Sequence, residues 1–129
     1  MKKILFGLLV AGLLTACGGD AGTDTAETSG ASINTRDTSD LVAFAQCVNE
    51  SGAVFYGTEW CPHCKQQKAI LGAGLSETEY VDCDVSRLRC SKAGVKAYPT
   101  WVTGDDQQLV GTQQLSDLAG VTGCELPNA

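Results

Sequence analysis

The chain has 129 residues, with nine Lys and Arg against fifteen Asp and Glu and a formal charge of −6. That length encloses one domain with a modest core, and that charge is a poor match for nucleic acid or for an anionic lipid surface. Seven cysteines in so small a chain fit a compartment where disulfides persist.

The chain opens with a positive pair, Lys2 and Lys3, and an apolar run from Ile4 to Leu14. The run is too short to span a bilayer as a stop-transfer helix. It ends in Leu14-Thr15-Ala16-Cys17, which resembles a bacterial lipobox. The resemblance implies a signal peptide over residues 1–16, cleavage before Cys17 and lipidation of Cys17. An ordinary secretory signal cut at a small residue is the alternative. Either reading exports the chain, with any membrane attachment coming from the lipid and not from a basic patch. Setting Cys17 aside leaves six cysteines, an even number that allows fifteen pairings. Residues 17–36 are rich in Gly, Ala, Ser, Thr and Asp and read as a flexible tether.

The folded domain is expected over residues 37–129. Thr38, Ser39 and Asp40 are cap-type residues at its start. Leu41, Phe44, Ala45 and Val48 recur at helical spacing, and Gly52 supplies a stop. Residues 53–57 (AVFYG) are short, apolar and aromatic, as a buried strand would be. Cys61 then opens a helix with Pro62 in its first turn, where a missing N–H costs nothing; the helix runs to Gly72. Tyr80 to Cys83 reads as a second strand, Ser86 to Ala93 as a short helix ended by Gly94, and Thr100 to Thr103 as a third strand. A hairpin turn at Gly104-Asp105-Asp106 leads to a fourth strand, Gln107 to Gly111. Ser116 caps a last helix through Val121. The order α-β-α-β-α-β-β-α makes an α/β domain. Strands joined through helices are expected to be parallel and the final hairpin antiparallel.

The chemistry-bearing segment is Trp60-Cys61-Pro62-His63-Cys64. Two cysteines at this spacing can close a disulfide across the first turn of a helix. The upstream sulfur then sits where N–H groups and the helix dipole favour negative charge. A thiolate, not a thiol, attacks disulfides, so Cys61 is the candidate nucleophile and Cys64 the resolving thiol. His63, the one histidine of the chain, lies between them and, if protonated, would stabilise the thiolate further. A zinc half-site and an inert bridge are the competing readings. Zinc wants a second ligand pair at similar spacing, whereas the other cysteines are scattered at Cys47, Cys83, Cys90 and Cys124. No metal and no cofactor are expected.

A strand leading into this motif, then Tyr98-Pro99-Thr100 ahead of a β-hairpin, resembles the thioredoxin-like superfamily over residues 40–124. The resemblance implies a central four-stranded mixed sheet flanked by helices, and a cis Pro99 packed against the redox disulfide. The run from Phe55 to Lys68, with Tyr80-Val81-Asp82-Cys83 and Tyr98-Pro99-Thr100-Trp101, is similar to the thioredoxin-like domain associated with vitamin K epoxide reductase homologues. The CPHC tetrapeptide is also that of DsbA-type periplasmic oxidants. One departure is Phe55, which stands where cytoplasmic thioredoxins carry a buried Asp; Glu59 is the substitute to consider. Related domains often carry cysteines at the places of Cys83 and Cys90, which implies a structural bridge, with an electron relay as the alternative. In this fold the first and last helices can be close, so a Cys47–Cys124 staple is expected.

The resemblance implies an exported, lipid-anchored thiol–disulfide oxidoreductase. It would exchange disulfides with cysteine-bearing exported proteins through a mixed disulfide on Cys61. Trp60, Pro99 and Thr100 would form the groove that receives the client. Oxidation is the favoured direction, with reoxidation by a membrane quinone-linked thiol oxidase resembling vitamin K epoxide reductase. A reductase or isomerase is the alternative. A redox-inert binding module on the same scaffold is the alternative of another class. The expected location is outside the cytoplasmic membrane of a bacterium, in the periplasm or at the cell surface.

Overall fold

Apolar residues spaced three and four apart draw the first helix onto the sheet: α1 runs Thr35–Glu50 and buries Phe44, Ala45 and Val48. The computed structural model describes residues 35–128. The signal peptide expected at 1–16, the lipidation expected at Cys17 and residues 17–34 of the tether expected over 17–36 lie outside them; residues 35 and 36 of that tether, and so the start of the domain expected at 37, fall in α1. Helix α1 begins three residues before Thr38, so Thr38, Ser39 and Asp40 lie within its first turns and do not precede it. Several cap-type residues in succession leave a start that composition does not mark.

Gly52, at φ +85, turns the chain out of α1, and β1 (Val54–Gly57) follows. Helix α2 (Pro62–Leu71) ends at Gly72 and continues as a 3₁₀ segment over Gly72–Glu77. That segment packs against α1, where a Cβ on Gly74 would lie 2.6 Å from the Leu41 carbonyl oxygen. Then come β2 (Tyr80–Asp82), α3 (Arg87–Lys92), β3 (Thr100–Val102), β4 (Gln108–Val110) and α4 (Leu115–Thr122). Helix α4 is capped by Gln114 and Asp117, each side chain accepting from the other's backbone N–H; Ser116 lies inside the helix and is not its cap.

The four strands form one mixed sheet in the order β2-β1-β3-β4. β1 and β2 are parallel, with Phe55 opposite Tyr80. β3 runs antiparallel to β1, with Thr100 opposite Tyr56, and β4 runs antiparallel to β3. The expectation that helix-joined strands run parallel therefore fails between β2 and β3. A parallel return needs a crossover long enough to traverse the sheet. Helix α3 has only six residues, about 9 Å of rise, and the Cys83–Cys90 disulfide folds it back over the end of β2. The chain thus re-enters the sheet from the same end, on the far side of β1, and β3 runs back.

Successive strand side chains point to opposite faces. On one face Phe55, Trp101, Leu71, Leu118, Phe44 and Val48 form a core together with Cys61 and Cys64. On the other, Tyr56, Val81 and Val102 pack with Cys83 and Cys90. This is an α/β thioredoxin-like fold. A second disulfide, Cys47–Cys124, ties α1 to the segment after α4 across 77 positions of sequence.

Candidate active site

Strand β1 lies inside the sheet and delivers Thr58, Glu59, Trp60 and Cys61 to its end. Cys61 is the N-cap residue of α2, extended at φ −71 and ψ 121, and Pro62 starts the helix. The first N–H groups of a helix have no partner within it, so they point at whatever the cap residue carries. Cys61 and Cys64 are both free thiols. Cys61 is 6% exposed and Cys64 0%. The upstream sulfur therefore lies just under the surface and is less open than a nucleophile at a helix start suggests; its thiol faces the Tyr98 carbonyl at 3.7 Å.

The two thiols differ in acidity. Burial works against the Cys61 thiolate. The Cys64 thiol and the backbone N–H groups of Cys64 and His63 outweigh it, and the Cys61 pKa falls below that of an ordinary thiol. Cys64 is pushed up to about 11, first by burial and further by Cys61 beside it, with the Thr58 N–H in partial opposition. One thiol is thus poised to ionise and its neighbour to keep its proton.

Gly57, the last residue of β1, was not marked by sequence reasoning. A Cβ there would sit 2.8 Å from the Cys64 sulfur, so only glycine admits Cys64 at this depth. The one signal available is a glycine closing an apolar strand just ahead of the motif. Gln67 is a second omission: it is fully buried on α2, donates to the Gln113 carbonyl at 3.1 Å and accepts the Gln113 N–H at 2.7 Å. Thr112 donates to the His63 carbonyl at 3.2 Å. These bonds clamp the motif helix to the segment after β4. The His63 side chain is exposed.

Trp60 is 64% exposed. Its indole N–H donates to Asp84 at 2.8 Å, and its ring meets Tyr98 edge-on at 6.5 Å. The Tyr98–Pro99 peptide is cis. Pro99 and Thr100 are fully buried. The Pro99 carbonyl accepts from Gly111, the Thr100 hydroxyl donates to Ala97, and the Thr100 backbone is paired between β1 and β4. Pro99 and Thr100 therefore do not reach the groove surface assigned to them from sequence. Trp60 and the half-buried Tyr98 do present surface beside Cys61.

At the Phe55 position no carboxylate is present; the ring stacks on Trp101 at 5.3 Å and tilts against Tyr80 at 4.9 Å. Glu59 does not replace it as a buried acid. Its side chain is 65% exposed and paired with Lys68 at 2.5 Å, and the hydrogen bond from Lys68 holds its carboxyl below the usual range. The Lys68 ammonium also lies 4.1 Å over the Tyr80 ring. Among the described residues no set of three His, Cys, Asp or Glu side chains converges on a metal position, and no helix is long and apolar enough to cross a membrane. Cys83 and Cys90 are bridged and buried in the core of the opposite sheet face.

No protein-family model matches the chain. It is similar to the thiol-disulfide oxidoreductase LTO1 of Arabidopsis thaliana, 34% identical over 97 residues, which cover 68% of this chain and 26% of that protein. It is similar to the protein disulfide isomerase-like 5-1 of Oryza sativa subsp. japonica, 32% identical over 102 residues, 73% of this chain and 61% of that one. Protein disulfide-isomerase 5-1 of Arabidopsis thaliana is 34% identical over 86 residues, 60% of this chain and 51% of the relative. The chain thus spans between about a quarter and three fifths of the length of these relatives.

Proposed function

From a thioredoxin-like fold that carries a dithiol of split acidity, we propose that this chain is a thiol–disulfide oxidoreductase acting as an oxidant of exported proteins. The observation that carries the reading is the placement of Cys61 as the N-cap of α2 with Cys64 one turn deeper and fully buried. In the oxidised form a client thiolate attacks the Cys61 sulfur. The Cys61–Cys64 bond breaks, and its electron pair goes to Cys64, which takes up a proton. A second client thiolate then attacks the client sulfur of the mixed disulfide, and Cys61 leaves as a thiolate. The client loses two electrons and two protons and gains a disulfide; the domain becomes the dithiol. A low-pKa thiol is the better leaving group, and a thiol that keeps its proton is slow to attack. Both features drive the mixed disulfide toward client oxidation and away from its reversal by Cys64.

The names of two relatives, protein disulfide isomerases, favour a second reading in which the dithiol reduces and rearranges client disulfides. The remaining elements of the proposal rest on sequence. Cys17 carries a lipid anchor, residues up to 34 tether the domain outside a bacterial membrane, and a quinone-linked membrane oxidase resembling vitamin K epoxide reductase takes the two electrons. Substitution Cys17→Ala then releases the chain from membranes with its exchange rates intact.

Equilibration with glutathione redox buffers, together with insulin reduction and oxidative refolding of a reduced client, separates the readings. An oxidant is mostly dithiol at the potential where a thioredoxin-type reductant is mostly disulfide, and refolds the client faster than it reduces insulin. A Cys61–Cys64 couple as reducing as thioredoxin overturns the oxidant reading in favour of the second. No exchange in either assay overturns both.

A further inference from the structure

We infer that the cleft beside Tyr98 receives the client chain next to its cysteine, and that Arg87 and Lys96 on its rim select clients with acidic residues there. The inference rests on the function proposed above and adds the substrate class. The cleft has a volume of about 300 Å³, and Arg87, Val95, Lys96 and Tyr98 line it over the Cys83–Cys90 bridge. Tyr98 joins it to the chemistry: its carbonyl faces the Cys61 sulfur at 3.7 Å, and its ring abuts Trp60. One residue thus separates the reacting atom from the cleft. A client chain that leaves Cys61 along Tyr98 therefore reaches the cleft with the residues flanking its cysteine.

The charge is the second observation. The chain is acidic as a whole, yet residues 85–104 contain four Lys and Arg and no Asp or Glu. Arg89 pairs with Glu79. Arg87 and Lys96 are exposed and have no ion pair among the described residues. Neither acid near them in the chain pairs with them: Asp84 accepts the Trp60 indole N–H, and Asp82 accepts the Asp84 backbone N–H. Two unpaired cations at the rim of a reactive cleft, on a molecule of opposite net sign, attract acidic segments and steer them to the sulfur. Val95 and Tyr98 supply apolar surface for a side chain between those charges. An anionic bilayer is the competing occupant, since Trp60, Val85 and Leu88 are exposed apolar residues in the same part of the chain. A concavity joined to Cys61 through Tyr98 fits an extended chain and not a flat surface.

The test uses the full chain with Cys17→Ala and Cys64→Ser, so that Cys61 is the one thiol outside the two bridges. Three peptides of equal length each carry one cysteine as a 2-pyridyl mixed disulfide. They differ only in Glu, Gln or Lys at the second to fourth positions on both sides. The Cys61 thiolate attacks the peptide sulfur, and pyridine-2-thione leaves with the bonding pair and is read by its absorbance. We expect the Glu peptide to react about tenfold faster than the Lys peptide at low salt, with Gln between them, and the ratio to approach one near 1 M salt. The Arg87→Gln, Lys96→Gln pair brings the ratio within about twofold at low salt, and Arg87→Glu, Lys96→Glu inverts it. Equal rates for the three peptides, or a ratio untouched by these variants, overturn the selection and leave the proposed exchange activity standing. No reaction with any peptide overturns that activity and the selection together. Sedimentation with phosphatidylglycerol vesicles that is lost in Arg87→Glu, Lys96→Glu while peptide rates stay equal assigns the patch to a membrane and overturns the inference.

Discussion

Cys61–Cys64 and Cys83–Cys90 follow the ends of two adjacent parallel strands, β1 and β2, yet the first pair is two free thiols and the second a closed bridge. Each pair has one cysteine before a helix and one within it. What differs is where the upstream sulfur stands. Cys61 is itself the cap of α2, so the first N–H groups of that helix favour its thiolate. Cys83 is held directly behind β2, its N–H donating to the Gly57 carbonyl at 2.8 Å, and Ser86 takes the position before α3. Its sulfur turns into the core of the opposite face. A few residues of offset between strand end and helix start separate a reactive sulfur from a staple.

The sharpest way to break this contrast is to remove each pair in turn. Cys61→Ser should lower exchange by at least about a thousandfold, as loss of a nucleophile does, and Cys64→Ser should trap clients on Cys61. Replacing both Cys83 and Cys90 by serine should leave the exchange rate within about threefold. It should cost on the order of 2 kcal/mol of stability, the chain-entropy figure for so short a loop, against about 4–5 kcal/mol for Cys47–Cys124. Rates from client oxidation and midpoints from urea unfolding check both. Clients trapped equally through Cys83 or Cys90 would make that bridge an electron relay.

A smaller effect comes from the glycines. Gly57→Ala forces a methyl to within 2.8 Å of the Cys64 sulfur. Overpacking of this kind costs about 1–3 kcal/mol, and the displaced Cys64 should become open to alkylation. Gly120 sits in α4 with nothing within 4 Å of an added Cβ. Gly120→Ala should therefore stabilise by about 0.5–1 kcal/mol through helix propensity without changing Cys64 reactivity. Equal and small effects at the two positions would show that the Cys64 pocket has slack.

How far the sequence led can be judged from such residues. The strand–motif–helix unit was legible because AVFYG is an uninterrupted apolar run and Pro62 marks a helix start. The direction of β3 was not, because spacing along the chain says nothing about whether a short helix carries the chain back to the start of the sheet or leaves it at the same end. The 3₁₀ segment after Gly72 was missed because a glycine there reads as a stop; the chain carries on because Gly74 can lie against Leu41. Gln114 was passed over for Ser116 because glutamine is a poor cap by type, and it caps here only with Asp117 returning the bond. At the site, the cysteines carry their chemistry in their spacing. Tyr98, Arg87 and Lys96 carry theirs only through the cleft that the fold builds.

The finest test asks which part of His63 acts on Cys61. The structure gives the backbone N–H of His63 a place among the groups that favour the Cys61 thiolate, while its ring is exposed. His63→Ala keeps that N–H and removes the imidazole. His63→Pro removes the N–H as well, at a first-turn position where proline is compatible with the helix. Folding lowers the Cys61 pKa, so the stability it lends the dithiol form is present above the unfolded thiol pKa of about 8.5 and is lost as pH falls through the folded value. Cys64 shifts the other way. Its contribution is present below about 8.5 and is lost as pH rises toward its folded value of about 11. Melting of the dithiol form relative to the disulfide form should therefore improve as pH rises through the Cys61 value and worsen in the alkaline range. In His63→Pro the lower limb should move to higher pH and the couple should become less oxidising. In His63→Ala the limb should stay within a fraction of that displacement. Alkylation rate of Cys61 against pH, in a Cys64→Ser background, reads the same limb directly. A displacement as large in His63→Ala as in His63→Pro would assign the effect to the imidazole charge and remove the helix N–H from the account of why this pair, and not its neighbour, is reactive.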